Sequence, residues 1–180
     1  MIIIAPAEEP LNLIEVKEHL RVENNEEDRL ISNLITAART QAEAFTQRPL
    51  ITRTELIYVD SLSPGQEISS NLQSIERVNY YENDSQKELP AVDYRVDNTK
   101  IVGRIAESRN GSSWGSLLDA SVEYICGYGL AQDVPQAIKQ SMLLMIGDWY
   151  EIREETVVGT ITKPTGASSA LLLNYRISPL

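Results

Sequence analysis

The sequence predicts an α+β fold that is mainly α: a helical bundle with a small antiparallel β-sheet inserted between the second and third main helices. Apolar residues recur with helical spacing near both ends of the chain, at about 13–21, 26–47, 135–154 and 169–175. Between them, at about 50–126, the spacing changes to two and turn residues interrupt it. At 180 residues, the whole chain is expected to form one domain.

Capping signals mark the first two helices. Asn12 and Glu15 have the spacing of a capping box at the start of the first helix. The acidic residues of 23–28 are expected to favour the start of the second helix rather than to bind a metal, because they lack the donor and glycine spacing of a calcium loop. The second helix should end near Gln47. Its apolar residues fill an arc of roughly 160°: Leu30, Ile31, Leu34, Ile35, Ala37, Ala38, Ala42 and Phe45.

Four to five short strands are expected in the central region. They are placed at 51–59, 75–81, 94–96, 100–105 and 121–126, with 82–85 and 97–99 as hairpin connections. Residues 1–5 are expected to be an extended apolar arm. The aromatic residues are expected to pack across strands and in the core rather than to stack on bases, because few basic residues lie among them. They are Tyr58, Tyr80, Tyr81, Tyr94 and Trp114.

The segment from Ser121 to Glu155 is predicted to contain a strand, a glycine turn and a long helix in succession. Gly127 and Gly129 are predicted to end a strand, and Asp133 to cap a long helix with Pro135 in its first turn. One side of this helix is expected to face the core, through Ile138, Met142, Met145, Ile146, Trp149 and Ile152. We therefore assign Gly127, Gly129, Pro135 and Trp149 a structural role.

Other apolar residues of this long helix lie off the core face. Leu144 falls in the middle of the polar side, and Leu143 and Tyr150 widen the apolar arc beyond what one neighbour covers. An isolated exposed leucine is common and remains the alternative interpretation. The sharper hypothesis is an oligomer interface formed by Leu143, Leu144 and Tyr150.

The last predicted helix is short and rich in leucine. A loop is expected at 156–169, with Ser168 or Ser169 as the helix cap. Leu171, Leu172 and Leu173 cannot all face one partner. Two interpretations are open: packing on the body with one leucine exposed, or docking on another protein.

Composition excludes several classes of function. A formal charge of −10 disfavours tight binding to nucleic acid, and Cys126, the only cysteine, is expected to be a buried apolar residue. No segment is apolar for long enough to span a membrane, and residues 1–10 do not resemble a signal peptide, which predicts a cytoplasmic protein. With one histidine, His19, and no nucleotide-binding or metal-spacing motif, we predict no catalytic residues, no metal and no cofactor.

Motifs along most of the chain resemble the tailed-phage head-to-tail connector family, also called adaptor or head completion proteins. The likeness begins with 11–22 (L-N-L-I-E-V-K-E-H-L-R-V), 30–39 (L-I-S-N-L-I-T-A-A-R) and 44–52 (A-F-T-Q-R-P-L-I-T). It continues through 93–97 (D-Y-R-V-D), Trp114, 126–129 (C-G-Y-G) and 149–151 (W-Y-E). The order and spacing of these pieces carry the resemblance, since none is specific alone.

The resemblance implies a structural subunit, not an enzyme, in a ring that is usually twelve-fold. Such a ring lies beneath the portal protein, extends the DNA channel and carries a stopper or tail completion protein. The subunit would be made in the host cytoplasm and end at the head-tail junction of the virion, with no membrane partner. DNA would pass through without specific binding. Portal docking would fall on the C-terminal residues Leu171, Leu172, Leu173, Tyr175 and Arg176.

Two other functions are weighed against a connector. One is an acidic DNA-packaging accessory or DNA-binding protein, which a salt-dependent gel shift would reveal. The other is a hydrolase that uses paired carboxylates, for which carboxylates are plentiful but no motif is present.

Overall fold

The chain divides into two units in the computed structural model, which describes residues 1–152 and 166–177. The sheet unit contains residues 1–7 and 51–128, and the helical unit contains residues 8–50 and 129–180. The sheet unit is thus built from two separate stretches of chain, and so is the helical unit.

The helical unit contains four α-helices within its described residues. They are α1 (Leu13–Leu20), α2 (Asp28–Thr46), α3 (Gln136–Glu151) and α4 (Ala167–Leu173). As predicted, Asn12 caps α1: its side-chain oxygen accepts a hydrogen bond from the Glu15 amide at 2.9 Å. Helix α2 ends before Gln47, whose left-handed backbone (φ 58°) stops it close to the predicted position.

Packing in this unit centres on α2 and α3. Helix α2 packs against α3, and α3 packs against α4. The buried side of α2 is one stripe, formed by Ile31, Ile35, Ala38, Ala42 and Thr46. The buried side of α3 is formed by Ile138, Ser141, Met142, Leu143, Met145 and Ile146. Burial of these apolar side chains is the main source of stability for the unit.

The described residues of the sheet unit form eight strands in two antiparallel sheets. The five-stranded sheet has the order β1-β2-β8-β4-β5 and the three-stranded sheet the order β3-β7-β6. The strands are β1 (Ile2–Ile4), β2 (Arg53–Leu62), β3 (Glu67–Ser70), β4 (Leu72–Glu82), β5 (Ser85–Glu88), β6 (Tyr94–Asp97), β7 (Val102–Glu107) and β8 (Leu117–Cys126).

Long-range pairing holds the larger sheet together. Strand β8 lies between β2 and β4, with Arg53 opposite Cys126 at one end of β2 and Leu62 opposite Leu117 at the other. The predicted connection at residues 82–85 is a hairpin, in which Asn83 and Asp84 both have φ near +55°. The predicted hairpin joining β6 and β7 is also present.

A single apolar core lies in the sheet unit and draws on both sheets. Its buried residues include Leu62, Val78, Ile105, Val122 and Trp114. Cys126 is fully buried, as predicted for a residue in an apolar alternation. The Trp114 indole N–H donates a hydrogen bond to the Asp93 carbonyl oxygen at 3.1 Å, so this buried polar atom is satisfied.

The predicted fold class is wrong. Instead of a helical bundle with a small inserted sheet, the described residues contain roughly equal amounts of helix and strand, in four helices and two sheets. The expected extended arm is strand β1, and β3 and β5 occupy segments for which no strand was predicted. Polar segments such as Ser85–Glu88 become strands because a neighbouring strand pairs with their backbone, which local propensity does not reveal.

Two predicted helix caps are also corrected. Asp133 does not cap α3; its carboxylate accepts a hydrogen bond from the Leu130 amide at 2.8 Å and closes a 3₁₀ turn at Ala131–Asp133. Pro135 takes the cap position of α3 instead, since its backbone is extended (φ −54°, ψ 134°). Ser168 and Ser169 lie inside α4, which follows Gly166. The predicted loop falls mainly on residues 156–165, which lie outside the described residues.

Candidate interaction surfaces

Helix α3 places the three predicted interface residues in different environments. The Leu143 side chain is buried at 7 % exposure, and Leu144 is half-buried. The Tyr150 hydroxyl donates a hydrogen bond to the Glu27 carboxylate within the helical unit. Leu144 and the half-buried Tyr150 therefore both keep some surface for another chain, whereas Leu143 keeps almost none.

The far end of α3 does not follow the predicted core stripe. Trp149 is 36 % exposed and Ile152 is 55 % exposed, whereas the stripe predicted burial of both. They lie in the last turn of the helix and just beyond it, where periodicity continues but the packing against neighbours does not. Part of the α3 terminus is consequently an apolar surface.

Helix α4 divides its leucines between the core and the surface. Leu172 is buried at 2 %, Leu173 is 57 % exposed and Leu171 is half-buried. The buried Ser141 hydroxyl of α3 donates to the Ser168 carbonyl oxygen at 2.8 Å, which fixes the start of α4. This bond and the burial of Leu172 attach α4 to the rest of the helical unit.

The segment after α4 returns to the end of α2. The Ile177 amide donates to the Thr46 carbonyl oxygen at 3.0 Å. The Arg176 guanidinium lies over the Phe45 ring, 5.4 Å from its centroid, in a cation–π contact. Tyr175 is half-buried, and its amide donates to the Leu172 carbonyl oxygen at 2.9 Å. Of the predicted docking residues, Leu173 and Arg176 remain the most exposed.

The two glycines singled out from the sequence have positive φ values. Gly127 has φ +129°, and a Cβ atom there would lie 2.6 Å from backbone atoms of Ile51 and Thr52. Gly129 has φ +136°, and a Cβ atom there would lie 2.4 Å from the Asp133 carboxylate. Both positions therefore need glycine for conformation, and Gly127 also needs it for space, because the atom close to Gly129 is the end of the flexible Asp133 side chain.

A second face of α2, within the wide apolar arc that the sequence predicted, is exposed. Of the apolar arc of α2, Leu30 is 38 % exposed, Ala37 is exposed, and Leu34 and Phe45 are half-buried. Gln41 and Ala44 are exposed on the same side of the helical wheel. The width of the apolar arc in the sequence indicated this exposed face, because one neighbouring helix covers less than 160° of a helix surface.

The sheet unit also carries exposed aromatic residues that the sequence placed in packing contacts. Tyr94 and Trp114 are buried as predicted, but Tyr58 is 73 % exposed and Tyr81 is 50 % exposed. Tyr81 pairs across the ladder with Leu118, which is 60 % exposed. Alternation alone shows which residues share a face and leaves open which face is covered.

A polar network crosses the five-stranded sheet. The Tyr124 hydroxyl donates to one Glu55 carboxylate oxygen at 2.8 Å, and the Arg53 guanidinium donates to the other at 2.6 Å. Burial raises the pKa of the Tyr124 hydroxyl well above its usual value, and the neighbouring Glu55 carboxylate raises it further. The network thus holds a neutral phenol between β8 and β2.

Neither a metal-binding cluster nor a membrane-spanning helix is found among the described residues. No group of three or more His, Cys, Asp or Glu side chains among them could hold a metal ion. None of the described helices is both long and apolar enough to cross a membrane. The acidic loop before α2 is engaged locally: Lys17 donates to Asn25 and forms an ion pair with Asp28 at 2.7 Å.

Comparison with known proteins finds one matching family model. Residues 11–124 match the model described as Phage gp6-like head-tail connector protein. The matched range begins just before α1 and extends into β8, so it includes parts of both units. No curated protein matches the chain.

Solved structures with the same fold come from gene transfer agent (GTA) particles. A chain from the neck of an empty GTA particle, computed with C6 symmetry, superposes with a TM-score of 0.76 at 17 % identity. Chains from the native GTA virion and from the native neck, computed with C12 symmetry, give TM-scores of 0.74 and 0.70 at 15 % and 14 % identity. Each match covers 99 % of this chain and 97 % of the other. The fold is therefore shared over its full length.

Proposed function

We propose, because the chain belongs to the Phage gp6-like head-tail connector family, that it forms a ring at the head-tail junction of a phage-like particle. The family match over residues 11–124 is the observation that carries this proposal. The shared fold of chains from GTA necks supports it, since those necks were computed with cyclic symmetry. The role is structural, and we propose no enzymatic activity.

The ring would extend the channel through which DNA leaves the capsid. Each chain carries a formal charge of −10, so twelve copies would carry −120. Carboxylates facing a channel repel the phosphates of DNA, and repulsion lets the duplex slide instead of binding to the wall. A subunit of this kind needs no specific DNA contact, which distinguishes it from a DNA-binding packaging accessory.

Two surfaces of the helical unit are proposed for assembly. The contact between subunits would include Leu144, which is half-buried, as is Tyr150, whereas Leu143 is buried. The portal protein would be met by the C-terminal segment, where Leu173 and Arg176 are exposed while Leu171, Leu172 and Tyr175 support them. A stopper or tail completion protein would bind the opposite end of the ring.

Imaging by electron microscopy tests this function. Portal-bearing particles assembled with and without the chain would be compared, and we expect a ring of extra density below the portal only when the chain is present. The chain would collect in the host cytoplasm first and at the head-tail junction of finished particles afterwards. Its absence from the particles, or its location elsewhere on them, would overturn the proposal.

A gel-shift titration separates the connector from the DNA-binding alternative. The purified chain should cause no shift of duplex DNA at physiological salt, because an acidic surface has too few cations to neutralise phosphates and release the counterions of the DNA. A shift that weakens as salt is added would favour the packaging accessory instead.

A further inference from the structure

Helix α2 carries an exposed stripe without a charged side chain. We define the α2 stripe by its members: Leu30, Leu34, Ala37, Gln41, Ala44 and Phe45. On a helical wheel they fall within about 100°, next to the buried stripe that faces α3. The charged residues Arg39 and Glu43 lie on the other side of the helix, paired with each other at 3.2 Å.

The dimensions of the α2 stripe fit the centre of a protein contact. From Leu30 to Phe45 the helix rises about 22 Å, since each residue adds about 1.5 Å. A strip of this length and roughly 10 Å width covers a few hundred Å², whereas a standard interface buries about 800 Å² on each partner. The stripe is therefore large enough to be the uncharged centre of an interface and too small to be all of it.

The net charge of the chain indicates which partner covers the α2 stripe. Two chains that each carry −10 repel, so a contact between copies of this chain costs least where carboxylates are absent. The α2 stripe meets that condition over four turns of helix. Arg29 is exposed on the same helix, about 60° outside the α2 stripe on the helical wheel, and forms no ion pair with the residues that the structure describes. A carboxylate of a neighbouring acidic chain would pair with it at the rim of the contact.

We infer that the α2 stripe is the surface on which a second copy of this chain packs. The inference rests on the proposed ring and names a surface within it. A closed ring uses a heterologous contact, in which two different patches of the same chain meet, so a different surface of the next copy covers the stripe. DNA is an unsuitable occupant, because the stripe has no cation at its centre to meet a phosphate.

Cross-linking identifies what covers the stripe. A benzophenone amino acid would replace Ala37 in the full chain, and the matched control would carry it at Ser32, which is exposed on the polar side of the same helix. Irradiation would be carried out on the purified chain over a concentration series and on portal-bearing particles. We expect a product of twice the chain mass from position 37 and none from position 32.

Substitutions then test whether the contact matters. Ala37→Glu should weaken self-association at least about 100-fold, because the new carboxylate would be buried without a partner at the centre of the interface. Ser32→Glu adds the same charge to the same helix and should leave association unchanged. Circular dichroism would establish that both variants are folded, since both positions are exposed.

The outcomes separate this inference from the proposed function. A ring seen at the neck together with equal association of Ala37→Glu and wild type would overturn the α2 stripe and leave the connector role standing. A cross-link from position 37 to the portal or another protein, or no chain-to-chain product in either sample, would also overturn it. A chain-to-chain product from a protein that never joins the neck would instead refute the connector role.

Discussion

Replacing Gly127 with alanine should destabilise the sheet unit by about 1–5 kcal/mol. A non-glycine residue with positive φ costs about 1–2 kcal/mol, and Gly127 has φ +129°. The new Cβ would lie 2.6 Å from backbone atoms of Ile51 and Thr52, an overlap that adds about 1–3 kcal/mol once the strand shifts. The lower entropy of the unfolded alanine chain returns about 0.4–1 kcal/mol.

Two other glycines in the sheet unit serve as controls for this change. Gly65 has φ +88° and open space around it, so Gly65→Ala should show the conformational cost alone, about 1 kcal/mol. Gly115 has open space and no positive φ, so Gly115→Ala should be neutral or slightly stabilising. The series separates the effect of φ from the effect of steric overlap.

Thermal denaturation followed by circular dichroism measures the series. For a chain of this size, 1 kcal/mol corresponds to about 2–4 °C in Tm, so Gly127→Ala should melt about 2–18 °C below wild type. If Gly127→Ala proved as stable as Gly115→Ala, neither the tight approach nor the positive φ would be a constraint, and the structural role of this glycine would be refuted.

Three further predictions concern other sites. Tyr124→Phe should reduce the loss of stability above pH 10: the raised pKa keeps the native phenol protonated where the unfolded one ionises, so native stability is complete below about pH 10 and then falls by up to about 1.4 kcal/mol per pH unit. Equal slopes in urea titrations of the two proteins from pH 9 to 11 would contradict this. Leu144→Asp should impair assembly by at least tenfold in sedimentation while the chain stays folded, and normal assembly would count against the α3 contact. Leu173→Asp should weaken binding to portal-bearing particles and change stability by less than about 0.5 kcal/mol, because this leucine is 57 % exposed. Deleting the whole segment is a poorer test, because it would also remove the buried Leu172 and so lower stability.

Local signals in the sequence predicted the helices and hairpins well. The Asn12 cap, the end of α2 at Gln47 and the hairpin at residues 82–85 each depend on residues within a few positions of one another. Such features follow from side-chain hydrogen bonding and backbone preference, which a sequence displays directly.

The fold class could not be predicted in the same way, because the pairings that decide it are distant. Arg53 lies opposite Cys126, and β1 reaches β2 from the start of the chain. A short polar stretch such as β5 looks like a connection until a neighbouring strand supplies its hydrogen bonds. Because of these distant pairings, strands make up about half of the regular structure, whereas the sequence predicted only a small sheet.

The candidate surfaces show a similar limit. Periodicity indicated correctly that α2 and α3 are apolar over a wide arc, but it did not show where the neighbouring helices end. As a result Trp149 was expected inside the core and is 36 % exposed, and the predicted apolar arc of α2 is buried on one side only. The family resemblance came from the order of motifs along the chain, which does not depend on knowing what each residue contacts.

The placement of the two tryptophans makes the chain its own spectroscopic probe. Each unit contains one of them: Trp114 is buried in the sheet unit, and Trp149 is partly exposed in the helical unit. An indole in a dry site emits at shorter wavelength than one in contact with water, so single-tryptophan variants would give each unit its own fluorescence signal. A shift of the Trp149 emission to shorter wavelength as the chain concentration rises would also show that the end of α3 becomes covered when copies meet.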